Sequence, residues 1–162
     1  MERNLCDEMA LRGVDTNRLV FAKRITLMQD HLARYRLADL FLDTFPFCAQ
    51  TTASDALWAG VPVLTRVGES SMSRICASLL NAIELPELIT KTKAEYEATA
   101  IELATNPVKL NAIKDKLARN RLTTALFDTP KFTKNIEAAY MQMYEHYQAD
   151  LTLDHIYIDA SL

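Results

Sequence analysis

The stretch Asp39-Leu40-Phe41-Leu42-Asp43-Thr44-Phe45-Pro46-Phe47-Cys48-Ala49-Gln50-Thr51-Thr52-Ala53-Ser54-Asp55-Ala56-Leu57-Trp58-Ala59-Gly60-Val61-Pro62-Val63-Leu64-Thr65 decides the fold. Leu40, Phe41 and Leu42 form a short apolar run of the kind found in a strand buried on both faces. Pro46 ends it. Gln50-Thr51-Thr52 reads as a small polar turn, and Ala53 to Ala59 as one short helix. Gly60 supplies a left-handed stop, Pro62 prevents continuation, and Val63-Leu64-Thr65 begins the next strand. Strand, polar loop, helix and strand make half of a doubly wound sheet, with the loop at the carboxyl end of its strand. Ligands of such sheets bind there.

The start of that helix has a physical use. Its first backbone N–H groups lack partners within the helix, and the macrodipole places partial positive charge on them. The hydroxyls of Thr51 and Thr52 complete a seat for a phosphate, and Asp55, one turn in, is placed to accept hydroxyl protons from a ribose. The structural alternative is a threonine cap with Asp55 complementing the dipole.

Working outward, Leu5 to Arg12 reads as the end of a helix closed by Gly13, and Leu19-Val20-Phe21-Ala22 as a short strand after the Asp15-Thr16-Asn17 turn. Leu27 to Leu37 is amphipathic, with Leu27, His31, Arg34 and Tyr35 near one face. Downstream, Ser70 to Leu80 reads as a helix with Ile75, Leu79 and Leu80 turned inward, and Leu88-Ile89 as a last strand. Thr92 with Glu95 forms a capping box for a helix to Ala104. Asn106-Pro107 opens a helix to about Asn120, and Asp128 or Thr129 opens a final one ending near Tyr147. This alternation predicts an α/β fold, a three-layer sandwich with a parallel sheet plus C-terminal helices.

Composition narrows the function classes. A chain of 162 residues with 49% apolar content sustains one core. The net charge of −3, with no basic stripe, argues against nucleic acid as a partner. Cys6, Cys48 and Cys76 are odd in number and widely spaced, which favours a reduced cytoplasmic setting over a disulfide framework. No apolar run approaches the ~20 residues of a membrane span. His31, His146 and His155 lack metal-site spacing, so no metal is expected.

The order Leu42-Asp43-Thr44, Pro46, Thr51-Thr52, Asp55, Leu57-Trp58-Ala59-Gly60, Pro62 and Thr65 resembles the signature of the O-linked N-acetylglucosamine transferase family. The likeness continues through Gly68-Glu69 and Ser73-Arg74 and, in weaker form, to Tyr140 and His146. It implies the Rossmann-like, C-terminal, nucleotide-sugar-binding half of a GT-B glycosyltransferase. Residues 1–128 would then form a partial UDP-sugar-binding domain, and 129–162 a helical extension packed on it. It also implies UDP-GlcNAc or UDP as ligand, with no cofactor beyond the donor. A protein acceptor would meet a preceding portion lying outside this chain, and open sheet edges would favour a homo-oligomer.

The resemblance also assigns residues. His31 would lie against the uracil or ribose with Arg34 nearby, Thr51 and Thr52 would hold the diphosphate, and Asp55 the ribose. Gln50 stands where family members commonly carry histidine, and Met28 where animal members carry a lysine. Glutamine donates one hydrogen bond to a phosphate oxygen but cannot be protonated. Both departures weaken the site in the same direction, and no pair within the chain is suited to act as base and nucleophile, so the isolated chain is expected to be inactive. They also favour an alternative reading, a catalytically silent interaction module of the same fold.

Other residues carry less chemistry. Trp58 reads as packing between helix and sheet. Gly68, Glu69 and Ser70 form a second loop-to-helix junction, with Arg74 as either an ion-pair partner or a phosphate contact. Tyr140, Tyr144 and Tyr147, with Met141 and Met143, read as a core stripe. Lys109, Lys114, Lys116, Arg119 and Arg121 read as a solvated helix face.

Overall fold

The computed structural model describes residues 2–158. The chain divides into two units, Met1–His31 and Leu32–Leu162. In the first, α1 (Glu2–Leu11) is closed by Gly13 at φ 69°, whose amide donates to the Ala10 carbonyl at 3.0 Å. A side-chain oxygen of Asp15 accepts from Asn17 N at 2.9 Å and caps a 3-10 turn, Thr16–Arg18. The strand expected at Leu19–Ala22 is absent. The segment has strand-forming side chains but no neighbouring strand to take its amides, and Val20 and Phe21 are exposed. The next helix, α2 (Met28–Tyr35), is shorter than the Leu27–Leu37 expectation.

The second unit is built on a parallel three-stranded sheet. β1 (Phe41–Leu42), β2 (Val63–Arg66) and β3 (Ile89–Thr90) lie in that order, with Phe41 opposite Val63 and Thr65 opposite Ile89. Successive strand residues point to opposite faces. Val63, Leu64 and Thr65 are all fully buried, so both faces of the central strand are covered. This is the layered α/β arrangement that the alternating sequence pattern predicts.

Between β1 and β2 runs α3 (Thr51–Ala59), which buries Ala53, Ala56 and Leu57 and ends at Gly60 with φ 90°. The glycine stop lies where the sequence indicates it. After β2, a 3-10 turn (Ser71–Ser73) precedes α4 (Ile75–Ala82). Ser70 therefore caps the short turn and not the α-helix. The inward residues of α4 are Cys76, Ala77 and Leu80, while Ile75 is half-buried. The last strand starts one residue later than expected because Pro86–Leu88 forms a 3-10 turn.

Helix α5 (Lys93–Thr105) opens on the predicted capping box. Thr92 Oγ1 accepts from Glu95 N at 3.1 Å, and Glu95 Oε2 accepts from Thr92 N at 3.3 Å and Lys91 N at 2.8 Å. In α6 (Pro107–Thr123), Leu110, Ile113 and Leu117 complete the core with Leu103 of α5. Its basic face is engaged: Lys109 pairs with Glu102, Lys114 with Asp39 and Lys116 with Glu87.

Two packing expectations fail. Helix α7 (Thr129–Gln148) has no buried residue, and Tyr140, Tyr144 and Tyr147 are 60%, 60% and 78% exposed. Helical spacing puts them on one side but does not supply a surface to cover that side. Trp58 is 47% exposed and packs edge-on against Phe127, with ring centroids 5.1 Å apart. It faces away from the sheet because Ala56 and Leu57 fill the inward positions of α3. Arg121, expected to be solvated, stands over the Trp58 ring and donates to the Trp58 carbonyl at 2.5 Å.

Candidate functional site

Beyond β1 the chain folds back as the loop 43–49, tied by one buried acid. Asp43 Oδ1 accepts from Thr44 N at 2.8 Å and Ala49 N at 2.7 Å, and Oδ2 from Thr65 Oγ1 at 2.7 Å. Thr44 Oγ1 adds a bond to the Phe47 carbonyl at 2.9 Å. Two chain ends of the loop are thus held on one carboxylate, itself anchored to β2. A cavity of about 470 Å³ opens beside this loop, lined by Phe41 to Thr44, Phe47, Cys48, Ala49, Gln50, Thr51 and Thr52. It lies at the carboxyl end of β1, where the fold predicts ligand binding.

The helix entering this cavity starts earlier than the sequence suggests. Gln50 is the N-cap residue and makes no side-chain cap bond, so Thr51 and Thr52 are the first two helical residues and their side chains are exposed. The first backbone bond into the helix is Ser54 N to Gln50 O at 3.0 Å. The amides of Thr51, Thr52 and Ala53 precede it and have no acceptor within the helix. The capping alternative for the two threonines is overturned. The Gln50 side chain donates from Nε2 to Met72 Sδ at 3.3 Å.

The remaining assigned residues lie elsewhere. Asp55 is half-buried in α3 and does not line the cavity. Its charge acts on Tyr35: burial first, then Asp55, raises the Tyr35 phenol, while Arg34 pulls it down. Arg34, Tyr35 and Asp55 therefore form one electrostatic group, with Tyr35 stacked on Phe41 at 6.5 Å. His31 is the last residue of the first unit, half-buried in α2.

The second loop-to-helix junction is closed on itself. Ser70 Oγ accepts from Ser73 N at 3.3 Å, Ser73 Oγ donates to Ser70 O at 2.9 Å, and Gly68 N donates to Ser73 O at 3.1 Å. Arg74 donates to the Glu69 carbonyl, which is neither of the roles the sequence left open.

Cys48 lies in the cavity wall, with its thiol 3.8 Å from Thr65 Oγ1. Burial pushes both the Cys48 and Cys76 thiols up, so neither supplies a thiolate nucleophile. Among the described residues no group of three His, Cys, Asp or Glu is arranged to hold a metal ion. None of their helices is long and apolar enough to cross a membrane. Sequence reasoning gave Asp43 and Cys48 no role. The available signal was an acid directly after the apolar run, at the end of a strand where ligands gather.

The family model for glycosyl transferase family 41 matches residues 1–136. The chain is 37% identical over 155 residues to a UDP-N-acetylglucosamine–peptide N-acetylglucosaminyltransferase of Caenorhabditis elegans, covering 95% of this chain and 13% of that protein. It is 39% identical over 137 residues to the probable UDP-N-acetylglucosamine–peptide N-acetylglucosaminyltransferase SEC of Arabidopsis thaliana, covering 83% and 14% respectively. A mutant O-GlcNAc transferase of Thermobaculum terrenum has a similar fold, with a TM-score of 0.80 at 34% identity over 88% of this chain and 27% of that one. The chain thus spans about one seventh of the curated relatives' length. By sequence along most of its length and by the arrangement of its parallel sheet, the chain belongs to glycosyl transferase family 41.

Proposed function

We propose that this chain is the UDP-N-acetylglucosamine-binding portion of a protein Ser/Thr O-GlcNAc transferase. In this reading the uridine diphosphate sits at the start of α3. The observation that carries it is the opening of the first turn of α3, with its free amides and two exposed threonine hydroxyls, onto the 470 Å³ cavity. Such a seat stabilises the charge that develops on a departing diphosphate, because its dipoles are aligned before the reaction begins. Gln50 adds one side-chain amide but no transferable proton. Asp43 is committed to three donors and serves the loop rather than the chemistry.

In this reading the acceptor protein supplies the hydroxyl, the rest of the longer protein supplies the acceptor-binding surface and the base, and the 162 residues alone bind UDP without transferring sugar. UDP has about 25 heavy atoms, and at roughly 0.3 kcal/mol per atom a complete site reaches micromolar affinity. Loss of outside contacts worth ~2–4 kcal/mol leaves this chain nearer the millimolar range. A UDP titration followed by amide NMR checks it. Saturable shifts at Thr51, Thr52 and Ala53 are expected, and their absence at millimolar UDP overturns the assignment.

A second reading, a silent interaction module of the same fold, is favoured by the Gln50 side chain, which is occupied by Met72. Gln50→His in the longer protein separates the two. Increased sugar transfer supports the transferase, and indifference supports the module.

A further inference from the structure

A second cavity, of about 310 Å³, lies at the carboxyl end of β2, lined by Asp43, Phe45, Arg66, Lys93, Tyr96 and Glu97. It shares only Asp43 with the cavity at α3. Its charges are unevenly committed. Asp43 gives its oxygens to Thr44 N, Ala49 N and Thr65 Oγ1. Lys93 pairs with Glu97 at 3.5 Å, and Tyr96 donates its hydroxyl to the Asp43 carbonyl at 2.8 Å. At the start of α5 the capping box already engages the amides of Lys91, Thr92 and Glu95.

Arg66 differs. It is the last residue of β2, half-buried, and its guanidinium carbon stands 3.5 Å from the Phe45 ring centroid. It makes no ion pair among the described residues. That contact holds the guanidinium carbon over the ring face and leaves its N–H groups for a partner. A planar guanidinium is matched by an oxyanion that takes two parallel N–H bonds.

We infer that Arg66, oriented on Phe45, is an oxyanion-binding subsite at the end of β2, taking a carboxylate or phosphate group. The two sources of that group are an acidic side chain of an acceptor peptide and the phosphates of the nucleotide-sugar donor. Phe45 belongs to the loop 43–49 that walls the first cavity, so an occupant of the second braces that loop from its other side.

The test uses the whole chain labelled with ¹⁵N, reading the Arg66 side-chain Nε–Hε signal together with the Thr51 and Thr52 amides. Wild type is titrated separately with inorganic phosphate, sodium acetate, UDP and a short peptide rich in Glu and Asp, against chloride at equal ionic strength. A saturable Arg66 shift with phosphate and acetate is expected. Arg66→Gln should weaken the binding read at Phe45 about tenfold or more, with the rest of the spectrum unchanged. A shift of Arg66 with UDP assigns the oxyanion to the donor, and a shift with the acidic peptide assigns it to an acceptor. No response beyond the chloride control in any arm overturns the subsite. That result is distinct from failure of the UDP site, because Thr51 and Thr52 report on UDP in the same spectra.

Discussion

At the scale of single residues, the candidate site depends on Asp43. The residue is 7% exposed, and its carboxylate holds both ends of the loop 43–49 and one hydroxyl of β2. Asp43→Ala leaves two amides and a hydroxyl without their acceptor and should cost about 2–4 kcal/mol, read from the midpoint of urea unfolding. Asp43→Asn keeps one acceptor oxygen and should cost less. Gly68 is held by close approach rather than by its φ: a Cβ there would lie 2.6 Å from Ser73 Oγ and 2.9 Å from the Phe45 ring. Gly68→Ala should therefore destabilise by roughly 1–3 kcal/mol in the same measurement, displacing the loop that carries Phe45.

Tyr96 gives a pH signature. Burial, reinforced by the charge of Asp43, raises its phenol from 10.0 to about 12. The folded state holds this proton more tightly than the unfolded chain does. Its contribution is complete below pH 10 and lost as pH rises through about 12. Ultraviolet titration of the phenols should show a late transition that disappears in Tyr96→Phe. That variant also loses the bond to the Asp43 carbonyl, at about 1 kcal/mol.

At the scale of elements, α5 offers the cleanest test of local coding. Thr92→Ala should cost about 1 kcal/mol, read as a lower denaturant midpoint. Glu95 has its acidity increased by accepting from the backbone amides of Lys91 and Thr92. A lowered folded value means the stabilisation is present above the ordinary carboxylate range and is lost as pH falls through the folded one. Thermal unfolding followed by circular dichroism from neutral to acid pH should therefore fall less steeply in Glu95→Gln than in wild type. The caps at Thr92, Asn106 and Gly60 were legible because each is a contact between near neighbours in sequence. The start of α3 was not. Gln50 is a weak capping residue, so two threonines looked like caps when they are the first turn itself.

At the scale of the whole molecule, burial is uneven within the second unit. The cluster around Leu57, Leu64, Leu80 and Leu117 is fully buried, whereas no residue of α7 is more than half-buried. Amide exchange should therefore reach α7 through local opening well before it reaches β2 and α3, read by mass spectrometry of peptic fragments. Equal protection of α7 and β2 would contradict this burial pattern.

The sequence by itself determined the order of strands and α-helices from Leu40 onward, the parallel α/β class, the stop at Gly60, the capping box and the family, because those depend on periodicity, local backbone preferences and the order of unusual residues. Tertiary structure alone decided that Leu19–Ala22 pairs with no strand, that Trp58 and the tyrosines of α7 stay exposed, and that Arg66 lies on Phe45. Each of these depends on which surface arrives from a distant part of the chain. No local pattern encodes what will cover a face or which side chain will meet a cation.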